Sequence, residues 1–487
     1  MSAAQGPGIS EVADLQRLAS ERYADGDLAG ATQIYLEIAR VETSDDARAQ
    51  SFVTAGWLQH LQQKDLAALD SLTQALTLDS QYPFDASHYS RDFEVLYQRA
   101  VEEVDRRRQR QSAQKVQEGL VAMEADRDAV ARLRLQEALD LTPDNAVAIY
   151  NLALLDLRQG ADAQAMTGFE RVIALTFKDS SPNSVSLRAK AQTSIGVIFF
   201  HRAEWQDAEE AFLEATRAQP EDVKAWKNLG LVRIERENYP GAVQALQAAT
   251  NLDPGDPDLV LELASALTKS ARGAEAAEVV TACLERHPRN ATLWSSLGRA
   301  QRQLGSPEEA ILAFQRAIET DPGNTDDEAA SAAVQIASIR YQQGAYEAAL
   351  ESAQQAAQWE PSSSEAWHVL GLAQQALGDL DAAAQSLDRA TTLEPTRADY
   401  FLDLGYVLVA NQARQPAETA FSTALSLDPD SEASLSPYFR YEIVDTQNKM
   451  PFGFTANPAY DRTFYTLGLE FKPIYNIVVK GDYQWHR

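Results

Sequence analysis

The stretch VKAWKNLGLVRIERENYPGAVQALQAATNLDPGD, residues 223–256, decides the fold of this 487-residue chain. Its spaced large and small apolar residues and its closing proline are Trp226, Leu229, Gly230, Ala242, Leu246, Ala249 and Pro254. Apolar residues three and four positions apart indicate two amphipathic helices. Proline cannot continue the second helix, so it marks the end of the pair. The stretch therefore predicts a helix–turn–helix unit.

The same pattern recurs at a fixed period along the chain. Pro220, Pro254, Pro288 and Pro322 are 34 residues apart, and Pro361, Pro395 and Pro429 resume this spacing after a slip of five residues. A period of this length is typical of a helical repeat array. Weaker units precede the proline series, which gives about eleven units between Val12 and Ser431. Since no unit can bury its apolar face alone, we predict an all-α, right-handed solenoid of stacked hairpins.

These residues and their spacing resemble the tetratricopeptide repeat family. The resemblance implies that the first helix of each unit lines a concave groove that binds peptides or partner proteins. It also implies that Trp226, Trp294 and Trp367 are core residues in one equivalent position. In the C-terminal half the predicted groove residues are Lys224, Lys227, Leu231, Ser295, Arg299, Arg302, Val334, Tyr341, His368, Leu372, Leu402 and Tyr406.

One subgroup of the family holds a C-terminal carboxylate with Lys and Asn in successive units. Asn151 and Asn228 stand where that clamp places an Asn, but the neighbouring units lack its other residues. We therefore expect both Asn to serve helix polarity.

The composition narrows the function further. The net charge of −28 repels nucleic acid and anionic lipid, whose binding requires Lys and Arg, and it suits basic or neutral protein partners.

No catalytic constellation, metal-ligand His spacing or glycine-rich phosphate loop is present, so we expect no enzyme, metal or cofactor. Cys283 is the single cysteine and is either a small buried thiol or a reactive one. Since no basic region precedes an apolar stretch at the N-terminus and no apolar run approaches 18 residues, we expect neither a signal peptide nor a transmembrane helix.

Breaks in the period suggest four regions. They are N-terminal repeats at 1–80, an inserted turn and helix at 81–111, the main array at 112–431 and a tail at 432–487. Two loops are predicted inside the main array, at 178–188 and 323–328. In the insertion, Arg106, Arg107, Arg108 and Arg110 form a basic cluster. It is either a solvated helix end, where cations are favoured, or an anion-binding patch.

The tail shows a different period. TFYTLGLEFK (463–472) and IVVKGDYQW (477–485) alternate apolar and polar residues on either side of a short turn, which predicts a β-hairpin. SPYFRYEIV (436–444) could supply a third strand. Strands of about ten residues with aromatics resemble a fragment of a bacterial outer-membrane porin. The alternative is a β-cap on the last repeat.

Two functions follow from these alternatives. The first is a periplasmic, non-enzymatic scaffold that works with an outer-membrane barrel protein, a plan similar to that of bacterial polysaccharide exporters. In this case membrane contact is made only through the tail. The second is a cytoplasmic adaptor or co-chaperone-like protein whose tail caps the array.

Overall fold

The structure is a computed structural model that describes residues 9–325 and 327–429. All secondary structure within these ranges is helical, without a β-strand, so the predicted all-α array is confirmed there. The eleven predicted units appear as eleven helical hairpins in the same ranges. The β-hairpin predicted within 432–487 lies outside the described residues. The chain divides into two compact units, Met1–Pro220 and Glu221–Arg487.

The first unit consists of five hairpins. Its helices are α1 (Ile9–Ala24), α2 (Leu28–Val41), α3 (Asp45–Leu61), α4 (Asp65–Leu78), α5 (Arg91–Glu124), α6 (Asp128–Leu141), α7 (Ala146–Arg158), α8 (Asp162–Thr176), α9 (Pro182–His201) and α10 (Trp205–Ala218). A single 3₁₀ turn, Ala86–His88, precedes α5.

The second unit contains six hairpins in its described residues. Its helices are α11 (Val223–Glu235), α12 (Tyr239–Leu252), α13 (Pro257–Lys269), α14 (Gly273–Leu284), α15 (Ala291–Gln303), α16 (Pro307–Thr320), α17 (Glu328–Gln342), α18 (Tyr346–Trp359), α19 (Ser364–Ala376), α20 (Leu380–Leu393), α21 (Ala398–Ala410) and α22 (Arg414–Leu427).

Local chemistry sets the ends of these helices. The Asp222 carboxylate accepts hydrogen bonds from the backbone N–H groups of Lys224 and Ala225, and so caps α11. The turn inside each hairpin contains one residue with positive φ, such as Gly305 at 74° and Ala271 at 58°. Glycine adopts this left-handed conformation at little cost, whereas alanine is strained by it.

The core of each hairpin depends on matched volumes at two facing positions. A Cβ added to Gly298 would lie 2.7 Å from a ring carbon of Phe314, and one added to Gly230 would lie 2.5 Å from Leu246. In the next hairpin the buried Ala264 faces the smaller Val280. In the hairpin of α7 and α8 Ala153 faces Phe169, and the close approach is instead at Gly168, where an added Cβ would lie 2.7 Å from the Cβ of Ala153. The small residues therefore mark contacts too close for a side chain, as the sequence pattern suggested.

The insertion differs from its prediction. The basic cluster does not lie at a helix end, because α5 runs for 34 residues from Arg91 to Glu124 and crosses the proposed boundary at 111/112. Ser90 caps this helix by accepting a hydrogen bond from the backbone N–H of Phe93. No proline interrupts the stretch, and Gly119 is its only glycine. The two predicted helices are thus one helix of about 51 Å.

The two loop predictions have different outcomes. The loop at 178–188 is wrong over most of its length, because Ser181 caps α9 and Pro182 is its first residue. Proline is favoured at that position, where its missing N–H would have no partner in the helix. The turn predicted at 323–328 agrees with the described residues around it, since α17 begins at Glu328.

Trp226, Trp294 and Trp367 are half-buried, so the prediction that they are core residues is correct only in part. Trp294 and Trp367 pack against the core clusters of neighbouring helices. Their indole N–H groups donate to the carbonyl oxygens of Pro288 and Pro361, each at 3.0 Å. The tryptophans thus also join each hairpin to the turn before it.

Cys283 is buried, and burial raises the pKa of its thiol, so the small-thiol interpretation holds.

Candidate functional site

The first helices of successive hairpins form a continuous surface in the second unit. Helices α11, α13, α15, α17, α19 and α21 each contact the next one in this series, whereas the second helices of successive hairpins do not pack together within the described residues. The Gln303 amide of α15 donates to the Thr268 carbonyl of α13 at 2.6 Å. Helices that contact each other along one side line the inner side of a curved array. This surface is called the inner face below.

The N-terminal part of the inner face carries cations on α11, with the exposed Asp258 of α13 at the repeat position that Lys224 occupies. Lys224 is exposed, and Lys227 and Leu231 are half-buried. Neither lysine forms an ion pair with a described residue. On a chain with a net charge of −28, these cations are unpaired and accessible.

Two arginines extend the basic surface on α15. The exposed Arg302 donates to the amide oxygen of Gln335 on α17, and Arg299, one turn earlier, forms no hydrogen bond or ion pair with a described residue. The surrounding protein withdraws Arg299 from bulk water and so lowers the pKa of its guanidinium; repulsion from Arg302 adds to this, and attraction to Glu328 opposes it. The Arg299 side chain is therefore accessible to a partner, although the surrounding protein partly shields its guanidinium from water.

Two predicted groove residues do not reach the surface. Ser295 is fully buried, and Val334 is 2% exposed and belongs to a core cluster with Ala353 of α18 and Val369 of α19. The Ser295 hydroxyl has no hydrogen-bond partner among the described residues. Both side chains belong to the interior of the array, so they are not part of a surface that a partner could contact.

The C-terminal part of the inner face carries a connected polar and aromatic group. His368 of α19 stacks on Tyr400 of α21 at 4.3 Å, and its Nε2 lies 2.7 Å from Oδ2 of Asp403. The Arg397 guanidinium lies 4.5 Å from the centroid of the Tyr400 ring and pairs with Asp399 at 2.6 Å. The hydrogen bond from Arg397 holds the pKa of the Asp399 carboxyl below its ordinary value.

The remaining predicted residues give this end an apolar character. Leu372 and Leu402 are half-buried, and Tyr406 is 45% exposed with its ring edge-on to Phe421 at 5.5 Å. Tyr341 is half-buried as well, and burial raises the pKa of its phenol. The inner face therefore changes from basic at its N-terminal part to aromatic and apolar at its C-terminal part.

Sequence reasoning missed three residues of this surface. Gln335, Tyr400 and Asp403 were not assigned to the groove, yet they hold Arg302 and His368 in place. Each partner is 32 to 35 residues away in the chain, close to one repeat period. Comparing equivalent positions of adjacent units would have paired them.

The amide of Asn151 donates to the Val147 carbonyl of its own helix at 2.7 Å, which fits its assignment to helix polarity.

No group of three or more His, Cys, Asp or Glu side chains in the described ranges could hold a metal ion. Among the described helices, none is both long and apolar enough to cross a membrane.

Comparison with known proteins agrees with the repeat pattern. The tetratricopeptide repeat family matches residues 195–257, 261–325 and 340–401. The chain thus carries tetratricopeptide repeats, as its sequence predicted.

Among curated proteins, the chain is 24% identical over 183 residues to the BBSome complex member BBS4 homolog of Drosophila melanogaster, covering 38% of this chain and 36% of that protein. It is 30% identical over 162 residues to tetratricopeptide repeat protein 8 of Caenorhabditis elegans, covering 33% and 31%. The type IV pilus assembly protein PilF of Pseudomonas aeruginosa is 24% identical over 156 residues, covering 32% and 58%. The chain thus spans about a third of the length of the first two relatives.

Among solved structures, yeast Tom70 gives a TM-score of 0.42 at 14% identity, covering 90% of this chain and 89% of that one. Pseudomonas aeruginosa PilF gives 0.37 at 20% identity, covering 44% and 94%.

Proposed function

We propose that this protein is a non-enzymatic interaction scaffold that binds an extended protein segment on the inner face of its second unit. The observation that supports this most is the continuous surface of first helices, with unpaired cations at Lys224, Lys227 and Arg299 and an exposed aromatic at Tyr406. A surface with both features can fix the direction of a bound chain. It would place acidic residues at the basic part and apolar residues at the aromatic part.

The names of related proteins agree with a binding role. The relatives include a member of the BBSome complex, a pilus assembly protein and peroxisomal targeting signal receptors. Each name describes an assembly or a receptor. These properties belong to those proteins, and for this chain a partner-binding role remains our proposal.

A peptide library tests this proposal. Twelve-residue peptides displayed on phage are selected against the full chain, and the affinity of a selected peptide is measured by calorimetry. Arg299→Glu and Tyr406→Ala should each weaken binding roughly tenfold. The matched control is Arg316→Glu, an exposed arginine on α16, a second helix. The assignment would be refuted if Arg316→Glu weakened peptide binding equally, or if the selected peptides bound both inner-face variants as tightly as the unchanged protein.

A periplasmic location with an outer-membrane barrel partner is the finer part of the proposal. It rests on the alternating apolar residues of the tail at 432–487 alone. Deleting the residues after Ser431 should leave the melting temperature of the array unchanged and should abolish association with outer-membrane vesicles. A clear fall in melting temperature would favour the capping alternative.

A further inference from the structure

Helix α5 belongs to two different packing groups within the first unit. Its first half packs against α3 and α4, with Phe93, Leu96 and Tyr97 buried in one core cluster. Its second half forms a hairpin with α6, around Val116 and Leu135 in another cluster. Between the two halves, residues 105–111 are exposed apart from the half-buried Arg108. The long helix therefore separates the hairpin of α3 and α4 from the hairpin that α5 forms with α6.

This separation leaves one hairpin face uncovered. Val121 is 47% exposed, whereas the residues at its equivalent position in the other hairpins from the second onward are at most 3% exposed. Those residues are Leu58, Leu155, Ile198, Val232, Ala266, Ala300, Ile339, Ala373 and Val407. In the other hairpins, the preceding hairpin packs over this position. The hairpin of α5 and α6 thus presents, as open surface, a face that the rest of the array buries.

The uncovered face contains a shallow hollow between the two helices. The hollow has a volume of about 400 Å³ and is lined by Gln117 and Val121 of α5 together with Arg127 and Val130 at the start of α6. Glu118 and Arg134 also line it, and their side chains pair with each other at 3.3 Å. Val130 is 42% exposed. The hollow is open to solvent, so it can receive one side chain of a partner rather than enclose a small ligand. Two exposed valines give the hollow an apolar floor.

Two arginines without an ion-pair partner lie beside this hollow, whereas its lining carboxylate, Glu118, is paired with Arg134. Arg106, Arg110, Gln114, Gln117 and Val121 follow each other at three- or four-residue spacing, so they share one side of α5 and lead into it. Arg106 is paired with Glu102 at 3.0 Å. In contrast, the side chains of Arg110 and Arg127 form no ion pair with a described residue. The hollow therefore combines exposed valines with two arginines that lack an ion-pair partner, on a chain whose net charge is −28.

We propose that this surface is a second docking site, separate from the inner face, and that its occupant is an acidic protein segment with an aliphatic anchor. The anchor side chain lies between Val121 and Val130, and carboxylates on either side of it pair with Arg110 and Arg127. The apolar floor supplies most of the affinity, and the arginines exclude basic and neutral segments. The ion pairs of Arg106, Arg107 and Lys115 with neighbouring glutamates are retained in the complex.

The test uses a fluorescein-labelled synthetic peptide, EEEELEEEE, and the full chain in a polarisation titration at low salt. Arg110→Glu with Arg127→Glu should weaken binding at least tenfold, and Val121→Gln should do so without a change of charge. The control is Arg289→Glu with Arg389→Glu, two exposed arginines without ion pairs that give the same change in net charge. A peptide with Gln in place of its Leu should bind more weakly than EEEELEEEE.

Each result of the titration either supports or overturns the proposed site. Selective loss in the α5 and α6 variants, with the control unchanged, supports the site. Equal loss in the control variant shows non-specific charge attraction and overturns the proposal. Loss with Arg299→Glu instead assigns the peptide to the inner face and also overturns it. Absence of binding, together with a dimer in sedimentation that Arg110→Glu dissociates, would assign the surface to a second copy of the chain.

Discussion

The facing positions Gly298 and Phe314 allow a direct test of how the repeats pack. A Cβ on Gly298 would lie 2.7 to 2.8 Å from three ring carbons of the fully buried Phe314. Such overpacking costs about 1–3 kcal/mol, and the better helix propensity of alanine returns about 1 kcal/mol. Gly298→Ala alone should therefore destabilise its hairpin by up to about 2 kcal/mol. Phe314→Val alone removes much of the ring and should cost about 2–4 kcal/mol.

The double variant should cost less than the sum of the two. With the ring removed, the new Cβ meets a valine, which reproduces the native pair Ala264 and Val280 of the preceding hairpin. We expect a favourable coupling energy of about 1–2 kcal/mol, within the range for residues in contact. Because a repeat array unfolds locally, the assay is native-state hydrogen exchange of the segments in α15 and α16. Additivity within about 0.5 kcal/mol would refute the volume-matching argument.

Four further predictions concern single groups. Trp294→Ala should destabilise its hairpin by about 3–5 kcal/mol, whereas Trp294→Phe should cost only about 0.5–1.5 kcal/mol because it loses mainly the hydrogen bond to Pro288. Urea unfolding checks both values, and equal costs would contradict the packing role of the ring. Ala271→Gly should stabilise the chain by up to about 1 kcal/mol because it relieves the positive φ of 58°, and a lower melting temperature would contradict this. Burial raises the pKa of Tyr82 to about 12. The neutral phenol therefore contributes stability below its ordinary pKa of 10, and this contribution is lost as the pH rises towards 12. In thermal melts at alkaline pH, Tyr82→Phe should reduce the loss of stability. Cys283 should react with a thiol reagent only as fast as its hairpin opens, and rapid labelling of the native protein would contradict its burial.

The hairpins could be predicted from the sequence because each repeats the same volumes at the same spacing. Gly230 facing Leu246 and Gly298 facing Phe314 are local pairs, 16 residues apart, and they recur with the period. The continuous helix α5 could not be predicted in the same way. Its two halves carry separate apolar patterns for separate neighbours, and these patterns suggested two helices although the stretch contains no proline that would end the first.

The candidate site was predicted less completely than the fold. Helix periodicity places Ser295 and Val334 on the inner side of their helices, but their burial depends on how closely the neighbouring helices approach. The contact of His368 with Asp403 joins two hairpins and depends on the same approach. The exposure of Val121 depends on a neighbour that is displaced along α5. A single sequence fixes none of these distances.

Binding on the inner face of the second unit is the central claim, and photo-crosslinking tests it most directly. A selected peptide that carries a photoreactive leucine is bound to the full chain and irradiated, and mass spectrometry identifies the modified residues. We predict modification in first helices, at or beside Leu231, Arg299, Leu372 and Tyr406. Modification confined to the second helices α12, α14, α16, α18, α20 and α22 would contradict the claim.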